Sequence, residues 1–292
     1  MASHRRASIG IWTSGTTTSS DSWARTPSGA LAVEQLGFDE LWISGGFTPG
    51  LPTLFDDAIA GTSTIPVASG IISIYHTDPG EISTRVSALH DASPGRFVLG
   101  LGTSHGAVVE RTGQSYAKPY TKMVEYLDAL DALENGVPAS GRMLAALGPR
   151  MLTLAAERSL GAHPYFVPVE HTAFAREVMG PGPRLVPEQA VVLETDPAAA
   201  RAIARRHMQG YLRLPNYTGN LRRLGWNEAD IDGGGSDRLV DAIVAWGTVE
   251  QIAERVRAHH DAGADTVLLQ VIVADPEHDT QERAYGELAS LL

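Results

Sequence analysis

Short runs rich in β-branched and aromatic residues alternate with longer amphipathic runs along this whole chain, and that alternation constrains the fold more than any other feature. Strands are expected at Ser8 to Trp12, Glu40 to Ser44, Ile65 to Ile74, Phe97 to Leu101, Met143 to Leu147, Ala162 to Val167, Gln189 to Leu193 and Thr266 to Val273. Eight parallel strands, each followed by a helix, is the number that closes a TIM barrel. Several runs are apolar at consecutive positions, as in Val267-Leu268-Leu269, which fits strands buried on both faces. The fold class read from this pattern is α/β, a single (β/α)8 TIM barrel over residues 1–292.

The helices carry clearer punctuation. Tyr120 to Leu133 aligns Met123, Leu127, Leu130 and Leu133 on one stripe, opposite Lys122, Glu125 and Asp128. Asp196 stands as N-cap to a helix from Pro197 to Leu212, with proline at the first helical position. Thr248 and Gln251 form a capping-box pattern ahead of Val249 to Ala262, and Gly263 stops that helix. More than seventy residues separate the Gln189 strand from the last one, far beyond what one crossover helix needs. This marks a helical insertion at about 208–247, with Leu214-Pro215-Asn216-Tyr217 and Asp232-Gly233-Gly234-Gly235-Ser236 inside it. Two readings stand: a lid over the face that carries chemistry, or a helical hairpin that packs outside the barrel.

Composition narrows the partners. The net charge is -11, from 23 Lys plus Arg against 34 Asp plus Glu, so the surface repels phosphate backbones and anionic lipid. Nucleic-acid and membrane partners are therefore not expected. No apolar run approaches the roughly 20 residues of a membrane helix, and no apolar stretch of signal-peptide type follows Arg5 and Arg6, so a cytoplasmic location is expected. The absence of cysteine removes disulfides, thiolate nucleophiles and cysteine metal sites. A metal is not expected from the histidines either. His259 and His260 are adjacent and point apart on a helix, and His76, His105, His163 and His171 lack an i,i+4 partner.

In a parallel barrel, ligands bind where strands end. Those ends hold Trp12-Thr13-Ser14, Trp42-Ile43-Ser44-Gly45-Gly46-Phe47, Ser69-Gly70-Ile71-Ile72-Ser73-Ile74-Tyr75-His76, Leu101-Gly102-Thr103-Ser104-His105 and Ala145-Ala146-Leu147-Gly148-Pro149-Arg150. Glycines, hydroxyls and aromatics with few carboxylates suit a planar aromatic ligand with a phosphate tail. Leu147-Gly148-Pro149 runs from a strand directly into a helix, which leaves free backbone N–H groups for an anion, with Arg150 to add charge; Gly-Pro is also ordinary strand-to-helix punctuation.

Phe38-Asp39-Glu40-Leu41-Trp42-Ile43-Ser44, Pro94-Gly95-Arg96-Phe97-Val98-Leu99-Gly100-Leu101-Gly102 and Ala145-Ala146-Leu147-Gly148-Pro149-Arg150-Met151 occur in this order with barrel-like spacing. In order and wording they resemble the bacterial luciferase-like monooxygenase family, and within it the branch that uses the deazaflavin coenzyme F420. The Gly-Arg-Phe-x-Leu-Gly-x-Gly element is the most specific, and the resemblance runs from about Ile9 to Val273. It implies a luciferase-like barrel that is an oxidoreductase, transferring hydride between a deazaflavin and a small organic substrate. An FMN-dependent monooxygenase and a non-catalytic flavin-binding barrel are the alternatives, and pairing into a homodimer is common in the family.

The resemblance also implies a site. A bulge at Gly70-Ile71, often with a non-proline cis peptide, would back the ring, with Ser44 and Ser69 beside it. Gly102, Thr103 and Ser104 would face the ring's other side, and Ala146, Leu147, Gly148 and Arg150 would hold the phosphate tail. Trp12, Phe47 and Tyr75 would line the substrate pocket. Relatives that oxidise sugar phosphates or alcohols carry Asp-His directly after the second strand, whereas Gly45 and Gly46 stand here. His105 is then the first substitute for the acid/base and His76 the second; an imidazole titrates in the range such proton transfer needs. For a sugar-phosphate substrate the insertion offers Arg213, Arg222 and Arg223 as basic candidates.

Overall fold

The structure is a computed structural model and describes residues 8–14, 23–45, 50–274 and 281–292. Its sheet contains β1 (Ser8–Thr13), β2 (Leu41–Ile43), β3 (Val67–Ser69), β4 (Ile72–Ser73), β5 (Phe97–Gly102), β6 (Arg142–Leu144), β7 (Gly161–Ala162), β8 (Arg184–Leu185), β9 (Glu188–Val192), β10 (Val244–Trp246) and β11 (Thr266–Val271). All pairings among them are parallel, in the order β10-β9-β11-β1-β2-β3-β5-β6-β7-β8, with β4 on β5. The chain passes from β8 to β9 with only Val186 and Pro187 between them. Val186 N donates to Ala162 O on one side, and Leu268 N donates to Pro187 O on the other. This bent stave therefore joins both ends of the sheet, and eight staves close as expected.

Several strands are shorter than their apolar runs. The third run breaks at Gly70-Ile71 into β3 and β4, and the sixth keeps only Gly161–Ala162 in the ladder. Two strands escape the sequence pattern. β8 is too short to show periodicity, and β10 hides at the end of a helix, where Val244-Ala245-Trp246 extends β9 on its outer side.

Around the ring lie α1 (Pro27–Leu36), α2 (Leu54–Ala60), α3 (Pro79–Ala92), α4 (Gly106–Arg111), α5 (Pro119–Ala132), α6 (Pro149–Arg158), α7 (Val169–Met179), α8 (Pro197–Tyr211), α9 (Pro215–Arg223), α10 (Glu228–Ile231), α11 (Asp237–Ile243), α12 (Val249–Asp261) and α13 (Gln281–Leu288). No helix among the described residues is long and apolar enough to cross a membrane. Asp196 caps α8 through Ala199 N at 2.8 Å, and Thr248 with Gln251 forms the capping box of α12. On α5 the buried stripe is Met123, Tyr126, Leu127 and Leu130; Leu133 lies past the helix end and is 39% exposed, so the last position of the expected stripe is not part of the core.

The barrel interior is filled by Trp12, Trp42, Ala68, Met143, Val186 and Leu268. Below them, at the N-terminal ends of the strands, the buried Glu40 carboxylate accepts from Trp42 Nε1 at 2.8 Å, Thr266 Oγ1 at 2.7 Å and Arg184 at 2.5 Å. A buried carboxylate persists when it is paired and hydrogen-bonded in this way. The most specific sequence element is explained here too. Arg96 donates to the Ile59, Thr62 and Ile65 carbonyls, which fixes the loop entering β3, and Phe97 packs edge-on against Phe55.

Gly100 and Gly102 serve the opposite end. A Cβ on Gly100 would stand 1.8 Å from Ser69 O, and one on Gly102 would stand 2.6 Å from Ile71 Cδ1. The Ser69 hydroxyl donates to Gly100 O at 3.0 Å and accepts from Gly100 N at 2.8 Å. β3 and β5 thus approach each other closer than any side chain permits, and the Gly70-Ile71 turn is pressed onto the smooth face of β5. The Gly100→Ala variant should lose about 3 kcal/mol or more of unfolding free energy, the upper range for overpacking, because its new methyl meets backbone with no room to rotate away. Urea unfolding of the variant against wild type measures this, and equal midpoints would remove the steric argument.

Candidate active site at the barrel mouth

The turn expected to back a planar ligand is present. Gly70-Ile71 is a non-proline cis peptide, as the resemblance implied, and Trp12 Nε1 donates to Gly70 O at 3.1 Å. The Ile71 side chain lies on Gly102, and Ser69, Gly70 and Gly45 are buried beside it. Ser44 is half-buried, with its N–H donated to Thr13 O at 2.9 Å. Gly46 and Phe47 lie outside the described residues. The mouth over β2 to β5 is therefore floored by glycine, hydroxyl and isoleucine, with Ile71 on Gly102 and Ile72 on Gly45.

β5 ends in Thr103, Ser104 and His105. Tyr116 Oη donates to Ser104 O at 3.1 Å and contacts the Thr103 hydroxyl at 3.4 Å, and Ser104 takes a positive φ of 57°. That turn throws the half-buried His105 ring toward the insertion. Its Nδ1 lies 3.1 Å from Asn216 Oδ1, and its ring centroid is 5.4 Å from that of Tyr217. An amide oxygen only accepts, so Nδ1 carries the proton and Nε2 keeps a free lone pair. Burial lowers the His105 pKa, and the Asn216 hydrogen bond raises it in part. The ring is neutral at pH 7, as a general base must be.

At the start of α6 the cation nearest Gly148 is Arg223. Leu147 and Gly148 precede α6, and no side chain caps that helix; Ala146 is buried beneath. His171 Nε2 donates to Leu147 O at 2.9 Å, and burial pushes this histidine down to about 4, opposed by the Leu147 carbonyl and helped by the Arg223 charge. Arg150 does not turn toward Gly148. Its guanidinium stacks 4.1 Å above the Tyr120 ring, because that exposed position on α6 looks outward across to α5. Arg223 takes the place instead: a Cβ on Gly148 would lie 3.6 Å from its guanidinium, which Asn220 Oδ1 holds at 3.0 Å. Arg222 pairs with Glu228, and Arg213 is exposed. A free helix N-terminus with an arginine over it suits a phosphate.

The other half of the mouth was not foreseen. Tyr165 follows β7 and packs on Trp12 at 5.0 Å, and its hydroxyl lies 2.8 Å from both Gln270 Oε1 and Tyr211 Oη. One hydroxyl donates once, so Tyr211 donates to Tyr165 and Tyr165 donates to Gln270. Tyr211 and Tyr217 lie beside it with ring centroids 5.3 and 6.2 Å away, and Phe166 packs on those two at 5.1 and 5.3 Å. Burial, then the neighbouring tyrosines and Glu188, raise the Tyr165 and Tyr217 pKa values well above the ordinary phenol, so both stay protonated. The insertion thus contacts the mouth from His105 to Tyr165. Tyr165-Phe166 fell inside the expected Ala162 to Val167 strand and Tyr217 inside the insertion, with no periodicity to point any of them toward the mouth.

Tyr75 and His76 lie past β4 and line a groove between α3 and α5, and the Tyr75 ring stands 5.6 Å from Tyr116, which borders the mouth. The chain turns outward after β4, where Ile74 N donates to Gly102 O and His76 N to Ser73 O. His163, buried in the barrel, donates from Nδ1 to Val186 O at 2.7 Å, stacks on Trp42, and is held by burial at about 4.

The mouth of this closed parallel barrel offers a glycine floor, a lone-pair imidazole and a cationic helix N-terminus, features that suit a planar, phosphate-bearing molecule. The family model for luciferase-like monooxygenases matches residues 7–266, and the chain belongs to that family. It is 25% identical to the 5,10-methylenetetrahydromethanopterin reductase of Methanolobus tindarius, over 87% of this chain and 91% of that protein. The reductase of the same name from Archaeoglobus fulgidus is 27% identical, but the match spans only 43% of this chain and 44% of that protein. In fold the chain resembles an F420-dependent secondary alcohol dehydrogenase in complex with an F420-acetone adduct, with a TM-score of 0.75, 13% identity and coverage of 99% and 98%. It also resembles the FMN-bound oxygenating constituent of 3,6-diketocamphane monooxygenase from Pseudomonas putida, with a TM-score of 0.68, 16% identity and coverage of 97% and 96%.

His105 should titrate below the ordinary histidine value of about 6.5, and Asn216→Ala should move its midpoint lower still, since the Asn216 bond is the influence that raises it. Ring NMR signals across pH 4 to 8 read both midpoints. A rise on Asn216→Ala would reverse the assigned tautomer.

Proposed function

We propose that the chain is an oxidoreductase that moves a hydride between a deazaflavin of the F420 type and a small organic substrate. The observation that carries this reading is the pairing of the glycine-floored Gly70-Ile71 turn with the Arg223-covered helix end at Gly148, one flat surface and one anion cradle on the same rim. A bound deazaflavin supplies hydride chemistry; the protein's part is to hold, orient and shield. Arg223 and the free amides beyond Gly148 hold the phosphate, Gly70 and Ile71 back the ring, and Ser44, Gly102, Thr103 and Ser104 border it. Ser69 sets the turn, and His171 steadies Leu147 and Ala146 beneath the tail. Trp12 and Tyr165 form an apolar wall that excludes water from the reacting carbon. His105 Nε2 takes the proton from a substrate hydroxyl as the carbonyl forms, and returns it when the carbonyl is reduced.

The fold likeness to an F420-bound alcohol dehydrogenase supports the deazaflavin, and the likeness to an FMN-bound monooxygenase supports FMN as the second reading. Separate fluorescence titrations with F420 and FMN divide them. We expect saturable F420 binding, weakened roughly 10- to 100-fold in Arg223→Ala, the loss of one charge-assisted hydrogen bond. Single-turnover rates in F420-loaded His105→Ala should fall by about 100-fold or more. Tight binding of FMN alone would transfer the chain to the second reading, and an unchanged rate would remove His105 from the chemistry.

A further inference from the structure

The groove that holds Tyr75 and His76 is the second feature of the molecule with the makings of a site. It lies between the start of α3 and the outer face of α5 and encloses about 530 Å³, and a cleft of about 350 Å³ continues it along α5. Both are lined by Tyr75, Gln114, Lys122 and Glu125. We propose that this groove binds a small oxyanion, a carboxylate- or phosphate-bearing molecule, independently of the barrel mouth.

The first ground is unmet hydrogen bonding. Tyr75 Oη, Tyr126 Oη, Thr77 Oγ1 and both ring nitrogens of His76 are buried without a partner. Tyr75, Thr77 and Tyr126 are only 7%, 6% and 4% exposed. A buried polar group left unpaired costs about 1–3 kcal/mol, and folded proteins carry few of them. Five such atoms on four residues of one groove are a concentration that a polar ligand relieves. Burial first, then Tyr116 for one and Asp78 for the other, raise the pKa of Tyr75 and Tyr126, so both hydroxyls keep their protons to donate.

The second ground is charge. The chain has two lysines, Lys118 and Lys122, against a net charge of -11, and both line these clefts. Among the described residues neither lysine is in an ion pair. Lys118 stands at the N-cap of α5, with a φ of 59° and Pro119 after it, and no side chain caps that helix. The free end of a 14-residue helix therefore adds its positive pole to the two ammonium groups. Two carboxylates also line it: Asp78, whose Oδ1 accepts from Gly80 N at 2.8 Å and Glu81 N at 3.1 Å, and Glu125, exposed on α5 as Lys122 is. The three unpaired hydroxyls, the His76 ring and the two ammonium groups outnumber them, which favours an anion over a cation.

The lysines also provide the readout, because they are the only two. In protein carrying 13C at the lysine ε-carbon, each of the two NMR signals reports on this groove, and Lys118→Arg assigns them. Titration with inorganic phosphate and, separately, with succinate should shift the Lys122 signal saturably for at least one of them, and the one that binds names the source of the oxyanion. The shift should persist in Arg223→Ala, which disables the anion cradle of the mouth. Tyr126→Phe should raise the midpoint roughly 10-fold or more, while leaving unliganded stability equal or higher, since its hydroxyl has no partner to lose. Signals that move only linearly, as with sodium chloride, would overturn the proposal, as would a shift abolished by Arg223→Ala or a midpoint unchanged by Tyr126→Phe.

Discussion

The approach of the Ser69 carbonyl to the bare α-carbon of Gly100 is the contact on which the mouth of this barrel depends. Two neighbouring strands of a sheet ordinarily leave room for side chains on alternate faces. Here the hydroxyl of Ser69 bridges both backbone groups of Gly100, the third stave leaves its ladder, and the chain turns at Gly70-Ile71 onto Gly102. Every later placement follows. Ile71 gains a flat seat, Trp12 Nε1 finds the Gly70 carbonyl, and the chain beyond Ile72 is carried away from the mouth, taking Tyr75 and His76 with it.

On that base the mouth divides into two halves of different character. Over β2 to β5 it is small and polar; over β7 to β11 it is aromatic, tied by the Tyr211–Tyr165–Gln270 hydroxyl chain. The insertion joins them, since α9 brings Asn216 to His105, Tyr217 to the aromatic half and Arg223 to Gly148. Three histidines close to these elements, His163, His171 and His259, are neutral because burial pushes them to about 4, about 4 and about 3. Each is held by hydrogen bonds that fix backbone or neighbouring side chains, as when His259 spans Thr172 and Gln189. Neutral imidazoles of this kind position the site without adding charge to it.

Much of this was legible in the sequence, and the parts that were not share a cause. The alternation of runs identified eight staves because burial on both faces writes itself as consecutive apolar residues, and the caps Asp196 and Thr248 were readable because capping is local. Gly70-Ile71 and the glycines of the fourth run were marked by resemblance and Gly148 by its place between strand and helix, with the steric reason for the glycines visible only in three dimensions. Arg150 and Arg223 show the limit. Both are exposed arginines at helix ends, and only the crossing of α9 over α6 decides which one meets Gly148. Tyr165, Tyr217 and Asn216 are likewise brought together across more than fifty residues, with no local pattern to announce it.

The proposed chemistry requires one rim to hold a flat ring and its phosphate at two fixed places. A crystal structure of the protein soaked with the deazaflavin tests this most directly. It should show the ring against Gly70 and Ile71 and the phosphate between Arg223 and the first amides of α6. A ring bound elsewhere, or a rim kept shut by Tyr165, Tyr211 and Tyr217 with no ligand beneath, would contradict it.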